Sequence, residues 1–524
     1  MNNLLSIKEA SKWVTEHYGK QTSPSQISYL MQYGHLKKIG NNSSTKVLVN
    51  DLKKYFDSHI NLEMKMKERL GKDLNWTLSF HGISEKERTK HVHRLHPYKG
   101  KFIPQLVEYF LDDHVDNFKK HVYFKPDDIV IDPFCGSGTT LVQANELGIN
   151  AIGIDVSEFN AQISNIKVHK HNLQILYHEL RKIYNLYSEF IYNSKAINFE
   201  NDLLNELNKF NNKNFPSPKF KYQVRHNEID EWNYAKLKEN EFDEIFNKLV
   251  KKHKLKIIQN KHKNFIDKWY LLPVRDEIDY VLSLIEEIHD KDIKQVVKLI
   301  LSRTIRSCRA TSHSDLATLI KPITKTYYCH KHYKICKPLF SMFGWWKRYS
   351  EDTLKRLSEF DLNRTNTYQI CLTGDSRKIN IFDSLEKINS IFGETLKEKK
   401  IKGIFTSPPY VGLINYHEQH AYAYDLFGYD RKDKLEIGPL FKGKGKEARI
   451  SYVEGISDVL LNTKKYLAED YDVFLVANDK FNLYPKIAKN AGMKIINEFK
   501  RPVLNRTEKD KSAYSETIFH MKEE

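Results

Sequence analysis

The chain has 524 residues, too many for one hydrophobic core, so about two to four domains are expected. Hydrophobic residues make up 40% and charged residues 29%; five scattered cysteines, no apolar run of membrane-spanning length and no leader at Met1 exclude a disulfide scaffold and a membrane protein and fit a reducing cytoplasm. A formal charge of +17 points to a polyanionic partner, because lysines and arginines that neutralise phosphates release counterions, or else to lysine used as a solubiliser.

Residues 1–60 read as a small separate unit. SIKEASKWVTEHYG has helical apolar spacing through Ile7, Ala10, Trp13 and Val14 and stops at Gly19. A second helix starts at Ser23 as cap with Pro24 in its first turn and stops near Gly34. KVLV reads as a strand and NDLKKYFDSH as a third helix. This order resembles the winged helix-turn-helix of excisionase-like DNA-binding modules; a generic small helical domain is the alternative. A Lys/Glu-rich helical linker occupies residues 61–90.

Over residues 91–171 strand and helix alternate, as in a parallel doubly wound sheet. Between an apolar strand and a helix lies Asp132-Pro133-Phe134-Cys135-Gly136-Ser137-Gly138-Thr139-Thr140. Glycines here let backbone approach a ligand, and the helix start offers free N–H groups. The pattern is neither a dinucleotide fingerprint nor a phosphate-binding Gly-Lys loop. One strand later, IGIDV ends in Asp155, placed to accept hydrogen bonds from ribose hydroxyls or to cap the next helix.

The alternation halts over residues 172–366, a largely helical insertion rich in Lys, Asn and aromatics. Its run KKHKLKIIQNKHKNFIDK includes Lys251 and Lys252 and a single acid, Asp267; it reads as a solvated face or a DNA-backbone contact. Arg303, Arg306 and Arg309 recur at one helical face, fit for phosphates or base edges, or for salt bridges. Cys308, His313, Cys329, His330, His332 and Cys336 follow no standard pair-and-pair zinc spacing, so no metal ligand is assigned; core thiols and a structural zinc remain the two readings.

Residues 367–524 resume the rhythm with five further strands, YQICLTGDS, KGIFTSPPY, YDVFLVAND, MKIINEFKR and SAYSETIFHM. After the second of these stands Thr406-Ser407-Pro408-Pro409-Tyr410, where two prolines hold the flanking Ser and Tyr rigidly. A Gly- and Lys-rich loop, FKGKGKEAR, follows and is placed to close over DNA.

DPFCGSGTT followed by TSPPY resembles the amino-methyltransferase family of DNA methyltransferases. The resemblance covers about half the chain, with HRLHPYKGKF matching motif X, GIDVSEFN motif II and LTGDSR motif III, all in consistent order. It implies an α/β fold, a doubly wound seven-stranded Rossmann-like methyltransferase sheet, to which the N-terminal winged helix-turn-helix and the largely helical insertion are added; the insertion departs from the family pattern and is the candidate target-recognition region. The resemblance also implies S-adenosylmethionine as cofactor, held by His96, Lys101, Phe102, Asp132, Phe134, Gly136, Gly138, Thr139, Asp155 and Asp375. Ser407, Pro408, Pro409 and Tyr410 become the catalytic motif IV. The exocyclic lone pair is delocalised into the base ring, and acceptors at Ser407 Oγ and the Pro408 carbonyl can draw it out, while Tyr410 stacks on a flipped base. Serine at this place favours cytosine N4 over adenine N6 in the family, and the absence of any Pro-Cys pair argues against methylation at C5. Double-stranded DNA is the implied substrate and a cognate restriction endonuclease a possible partner. An RNA guanine-N2 methyltransferase and a non-enzymatic DNA-binding regulator are the competing classes; the paired motifs I and IV argue against the second.

Overall fold

The computed structural model describes residues 4–19, 21–40, 45–58, 74–80, 83–192, 194–259, 264–313, 319–503 and 514–524. Its strands are β1 (Leu4–Ser6), β2 (Lys46–Leu48), β3 (Ile129–Asp132), β4 (Asn150–Asp155), β5 (Tyr327–Cys329), β6 (Lys334–Cys336), β7 (Gln369–Thr373), β8 (Ile401–Thr406), β9 (Leu467–Ala477), β10 (Met493–Val503) and β11 (Tyr514–Glu523). Two compact units form: residues 1–69, 187–279 and 308–342 make the first, residues 70–186, 280–307 and 343–524 the second. This partition cuts the chain differently from the sequence reading, because residues 172–366 contribute to both units.

The second unit is built on a seven-stranded sheet of order β10-β11-β9-β8-β3-β4-β7. All seven segments read as strands are present. β7, β4, β3, β8 and β9 run parallel. β11 lies antiparallel between β9 and β10, so the sheet is mixed where a parallel one was expected. The connection from β10 to β11 is shorter than the dozen or so residues a parallel crossover needs, so the two can pair only antiparallel. β3 is buried along its whole length, which is why IVID reads as a continuous apolar run ending in one acid. Its core joins Ile131, Ile152, Ile404, Val473 and Leu475 across neighbouring strands. The helices Thr139–Glu146 and Glu158–Val168 follow β3 and β4 in turn.

In the first unit β1 pairs with β2, and the helices Ile7–Tyr18 and Pro24–Gln32 begin at capping boxes, Ser6 with Glu9 and Ser23 with Gln26. A helical stretch at 49–58 completes a small core around Val14, Ile27, Leu30, Val47 and Leu52. A second core, with Phe199, Phe242, Phe246 and Phe340, holds the helices Lys195–Asn214 and Glu231–His253. The N-terminal module is not isolated. Lys221 Nζ donates to the Gln32 carbonyl at 3.3 Å and lies over the Tyr33 ring at 5.0 Å. Of the helical linker expected at 61–90, residues 61–73, 81 and 82 lie outside the described residues; a short helix, Glu85–Arg88, follows. Among the described residues no helix is long and apolar enough to cross a membrane.

Candidate active site

In an open α/β sheet the carboxyl ends of the parallel strands form a crevice where the strand order reverses. Here β3 is followed by β4 and β7 on one side and by β8 and β9 on the other. Four polar residues thereby meet: Asp132 at the end of β3, Asp155 at the end of β4, Asp375 two residues past β7, and Ser407 just past β8. All four line one cleft, with Tyr98, Phe134, Ile154, Leu435 and Ile437 among its walls.

The glycine loop is shaped by its backbone. Gly136 (φ 53°) and Gly138 (φ 74°) both adopt left-handed conformations. A Cβ at Gly136 would lie 2.9 Å from the Tyr98 hydroxyl, and one at Gly138 would lie 2.9 Å from the Ser164 Cβ. Gly138 is the residue before the helix Thr139–Glu146 and supports the loop without lining the cleft.

Asp155 holds the loop and lines the cleft. It accepts from Gly136 N at 2.9 Å, Ser157 N at 2.8 Å and Asn160 Nδ2 at 3.1 Å. A carboxylate has about four acceptor positions, so capacity remains for a ligand hydroxyl. Burial raises its pKa to about 6 against the lowering effect of these bonds. Asp132 is buried, accepts from Thr140 Oγ1 at 2.6 Å, Thr406 Oγ1 at 2.5 Å and Phe134 N at 3.1 Å, and is likewise raised by burial to about 6. Its role is to tie the glycine loop to β8. Asp375 pairs with Arg377 at 2.8 Å, which keeps its pKa low although burial opposes it.

At motif IV, Ser407 Oγ donates to the Val476 carbonyl at 3.1 Å. Its proton is thus committed to backbone and its lone pairs are left to accept. Ser407 and Pro409 line the cleft; Pro408 does not. Tyr410 packs against the sheet core, and its hydroxyl donates to Glu516 at 2.9 Å, so the structure places it beside the lining rather than in it.

Of the other expected cofactor residues, Lys101, Phe102 and Thr139 line the cleft. Lys101 Nζ donates to the His93 carbonyl at 2.6 Å, and burial lowers its pKa to about 8. His96 does not line it: the ring is buried against Phe159 and faces the Tyr422 hydroxyl at 3.3 Å. Tyr98, two residues on, takes that place. Sequence reasoning also missed His417 and Glu436. Glu436 accepts from Tyr416 N at 3.2 Å and His417 N at 2.8 Å and pairs with the His417 ring. The HPY and YHE segments carry the only local hint of these groups.

The cleft fits S-adenosylmethionine. Asp155 and Asp375 place carboxylates at or just past the ends of adjacent strands, a donor set that fits the hydroxyl and amino groups of a nucleoside and suits a cationic ligand. Phe134, Ile154, Leu435 and Ile437 supply apolar walls for a nucleoside.

The expected DNA contacts fare unevenly. Arg303 is buried, pairs with Asp352 at 2.7 Å and stacks over Tyr349 at 4.2 Å, so its guanidinium is committed inside the fold. Arg306 lies in the helix Lys291–Cys308, whereas Arg309 falls beyond its end and is buried; the three do not share a helix face. Lys251 is exposed, and Lys252 makes a surface pair with Asp202 at 2.7 Å. Lys261 and Lys263 lie outside the described residues. Where core thiols and a structural zinc stood as the two readings and no ligand was assigned, His313, Cys329, His332 and Cys336 come together, because β5 and β6 fold back on each other; Cys308 and His330 are not in the group.

The DNA methylase family matches residues 11–166. Over 99% of its length the chain is 46% identical to the Type II methyltransferase M.MjaII of Methanocaldococcus jannaschii, covering 97% of that protein. It is 29% identical to the Type II methyltransferase M.MvaI of Kocuria varians over 19% of this chain and 21% of that one. It is 27% identical to the Type II methyltransferase M.BsoBI of Geobacillus stearothermophilus over 40% of this chain and 42% of that one.

Proposed function

The chain belongs to the S-adenosylmethionine-dependent DNA amino-methyltransferases, and we propose that it methylates the exocyclic N4 of cytosine in duplex DNA as the modification enzyme of a Type II restriction-modification system. The observation that carries the target atom is Ser407. Its hydroxyl donates to Val476, stands in the cleft lining just past the carboxyl end of β8, and keeps acceptor capacity.

The residues act by position. The cofactor bound in the cleft supplies an electrophilic sulfonium methyl. Ser407 Oγ and the Pro408 carbonyl accept the two amino N–H groups and draw the nitrogen lone pair out of the ring. Pro408 and Pro409 limit the backbone freedom of this segment, so the acceptors are set before the base arrives. Tyr410, expected to stack on the flipped base, packs beside the cleft lining with its hydroxyl on Glu516 and holds the end of the motif in place. His417 and Glu436, a buried pair in the lining of the same cleft, help to keep water out of the site.

The N-terminal module acts as a winged helix-turn-helix that adds DNA affinity, and the insertion reads the sequence. Both the module and Lys251 and Lys252 belong to the first compact unit. A cognate endonuclease is the proposed partner, and the cytoplasm the proposed location. A radiolabelled methyl-transfer assay on plasmid DNA against tRNA, followed by mass spectrometry of the digested nucleosides, tests the reading. N4-methylcytosine in the plasmid is expected; N6-methyladenine alone moves the enzyme to the adenine branch, and label only in tRNA refutes DNA as substrate.

A further inference from the structure

We propose that His313, Cys329, His332 and Cys336 bind a structural zinc ion that pins the β5–β6 hairpin within the first unit. The ligand atoms of these four residues all lie within 4.8 Å of one another. His332 Nδ1 is 3.6 Å from Cys329 Sγ and 3.6 Å from Cys336 Sγ. Tetrahedral zinc, with Zn–S about 2.3 Å and Zn–N about 2.0–2.1 Å, separates a sulfur and a nitrogen ligand by about 3.6 Å. Two of the six edges of such a tetrahedron are already at this length.

Local chemistry fixes which atoms face the ion. His313 Nδ1 meets the Tyr327 hydroxyl at 2.7 Å, so Nε2 is the free ligand atom, and the same hydroxyl accepts from His313 N at 3.0 Å. A partner on the non-ligating nitrogen is the usual way a metal-bound imidazole is oriented. In the hairpin Tyr327 opposes Cys336 and Cys329 opposes Lys334. Alternation therefore puts both cysteines on one face, while Tyr328 and Ile335 turn to the other and join the helical core. The turn carries Tyr333 at φ 53°, and both His332 N and Tyr333 N donate to the Cys329 carbonyl, at 3.0 and 2.7 Å.

A disulfide fits less well. Cys329 and Cys336 are diagonal across the hairpin, a relation that separates backbones by about 7–8 Å, beyond the usual disulfide span of about 4.4–6.8 Å. Both are free thiols. Two thiolates and two neutral imidazoles also balance the divalent charge, so no net charge is left in a half-buried site. The need for a staple is plain: each strand has three residues, and among the described residues the apolar cluster on the cysteine face consists of Tyr327, Ile323 and the cysteines themselves.

The test is metal analysis of the full chain, purified without a polyhistidine tag or chelator. About one zinc per chain is expected by plasma mass spectrometry, with X-ray absorption showing about two sulfur and two nitrogen neighbours. Cys336→Ser and His313→Ala should lose the metal, and Cys336→His should keep it. A folded wild-type chain that holds no zinc after incubation with zinc and gel filtration overturns the proposal. So does a Cys329–Cys336 disulfide in freshly purified protein, or a zinc content unchanged in Cys336→Ser and His313→Ala. If those two variants do not fold, the absorption spectrum of the wild-type chain decides: an oxygen-rich shell refutes the site.

Discussion

Thr406 Oγ1 donates to Asp132 Oδ1 at 2.5 Å, joining the last residue of β8 to the last residue of β3 inside the sheet. Both residues are buried, and Ser407 follows Thr406 directly. The carboxylate that anchors the glycine loop through Thr140 also sets the position of motif IV. Thr406→Val removes one of the two donors to Asp132 Oδ1 and leaves Phe134 N as the other, at a cost of about 1.5–3 kcal/mol for a hydrogen bond to a charged group. Thermal stability is expected to fall, and single-turnover methyl transfer to slow, while cofactor affinity measured by calorimetry changes little. Equal losses in affinity and rate would show that Asp132 serves the cofactor loop alone.

Ser407→Ala removes one of two acceptors for the amino group. A hydrogen bond to a group developing charge is worth roughly 1.5–3 kcal/mol, so kcat is expected to drop about 10–100-fold. Binding of cofactor and DNA should persist, because the interaction strengthens only toward the transition state. Rapid-quench turnover beside equilibrium binding separates the two.

Asp155→Ala is expected to weaken S-adenosylmethionine at least about tenfold, through lost acceptors for ribose and a loosened turn at Gly136. The same residue gives a pH dependence. Its pKa in the fold is raised by burial to about 6 from 3.8, so the proton is held more tightly folded than unfolded. The stability it contributes is present below the unfolded value and is lost as pH rises through about 6. Cofactor affinity runs the other way: the ionised form accepts better, so affinity should rise with pH across the same window. Calorimetry on wild type and Asp155→Asn checks this. A profile unchanged in the variant assigns the titration to Asp132, whose pKa is raised to about the same value.

Removal of residues 1–60 is expected to weaken DNA binding and to lower its dependence on salt, because fewer phosphates are neutralised. The methylated sequence should stay the same. Sequencing of modified sites after incubation with the truncated enzyme reads this, and a changed site would move specificity to the N-terminal module.

Local rules carried much of this protein. IVID, AIGID, KGIF and YDVFLVA announce strands because a strand buried on both faces must be apolar throughout, and Ser23 announces a helix because a side-chain oxygen must satisfy the first free N–H groups. The order of Asp132, Gly136, Asp155, Asp375 and Ser407 was legible too, since each stands at a strand end or in the turn after it. Tertiary structure alone decided what depends on neighbours far apart in the chain. Arg303 looks free in its helix until Asp352 neutralises it, and His96 looks like a ligand residue until Phe159 and Tyr422 enclose it. Tyr410 turns to Glu516, 106 residues on. The cysteines and histidines of the insertion match no linear pattern, because a hairpin turn and Tyr327 bring them together. Periodicity and capping act over a few residues and are written in the sequence; ion pairing, burial and metal-ligand geometry arise only when distant segments meet.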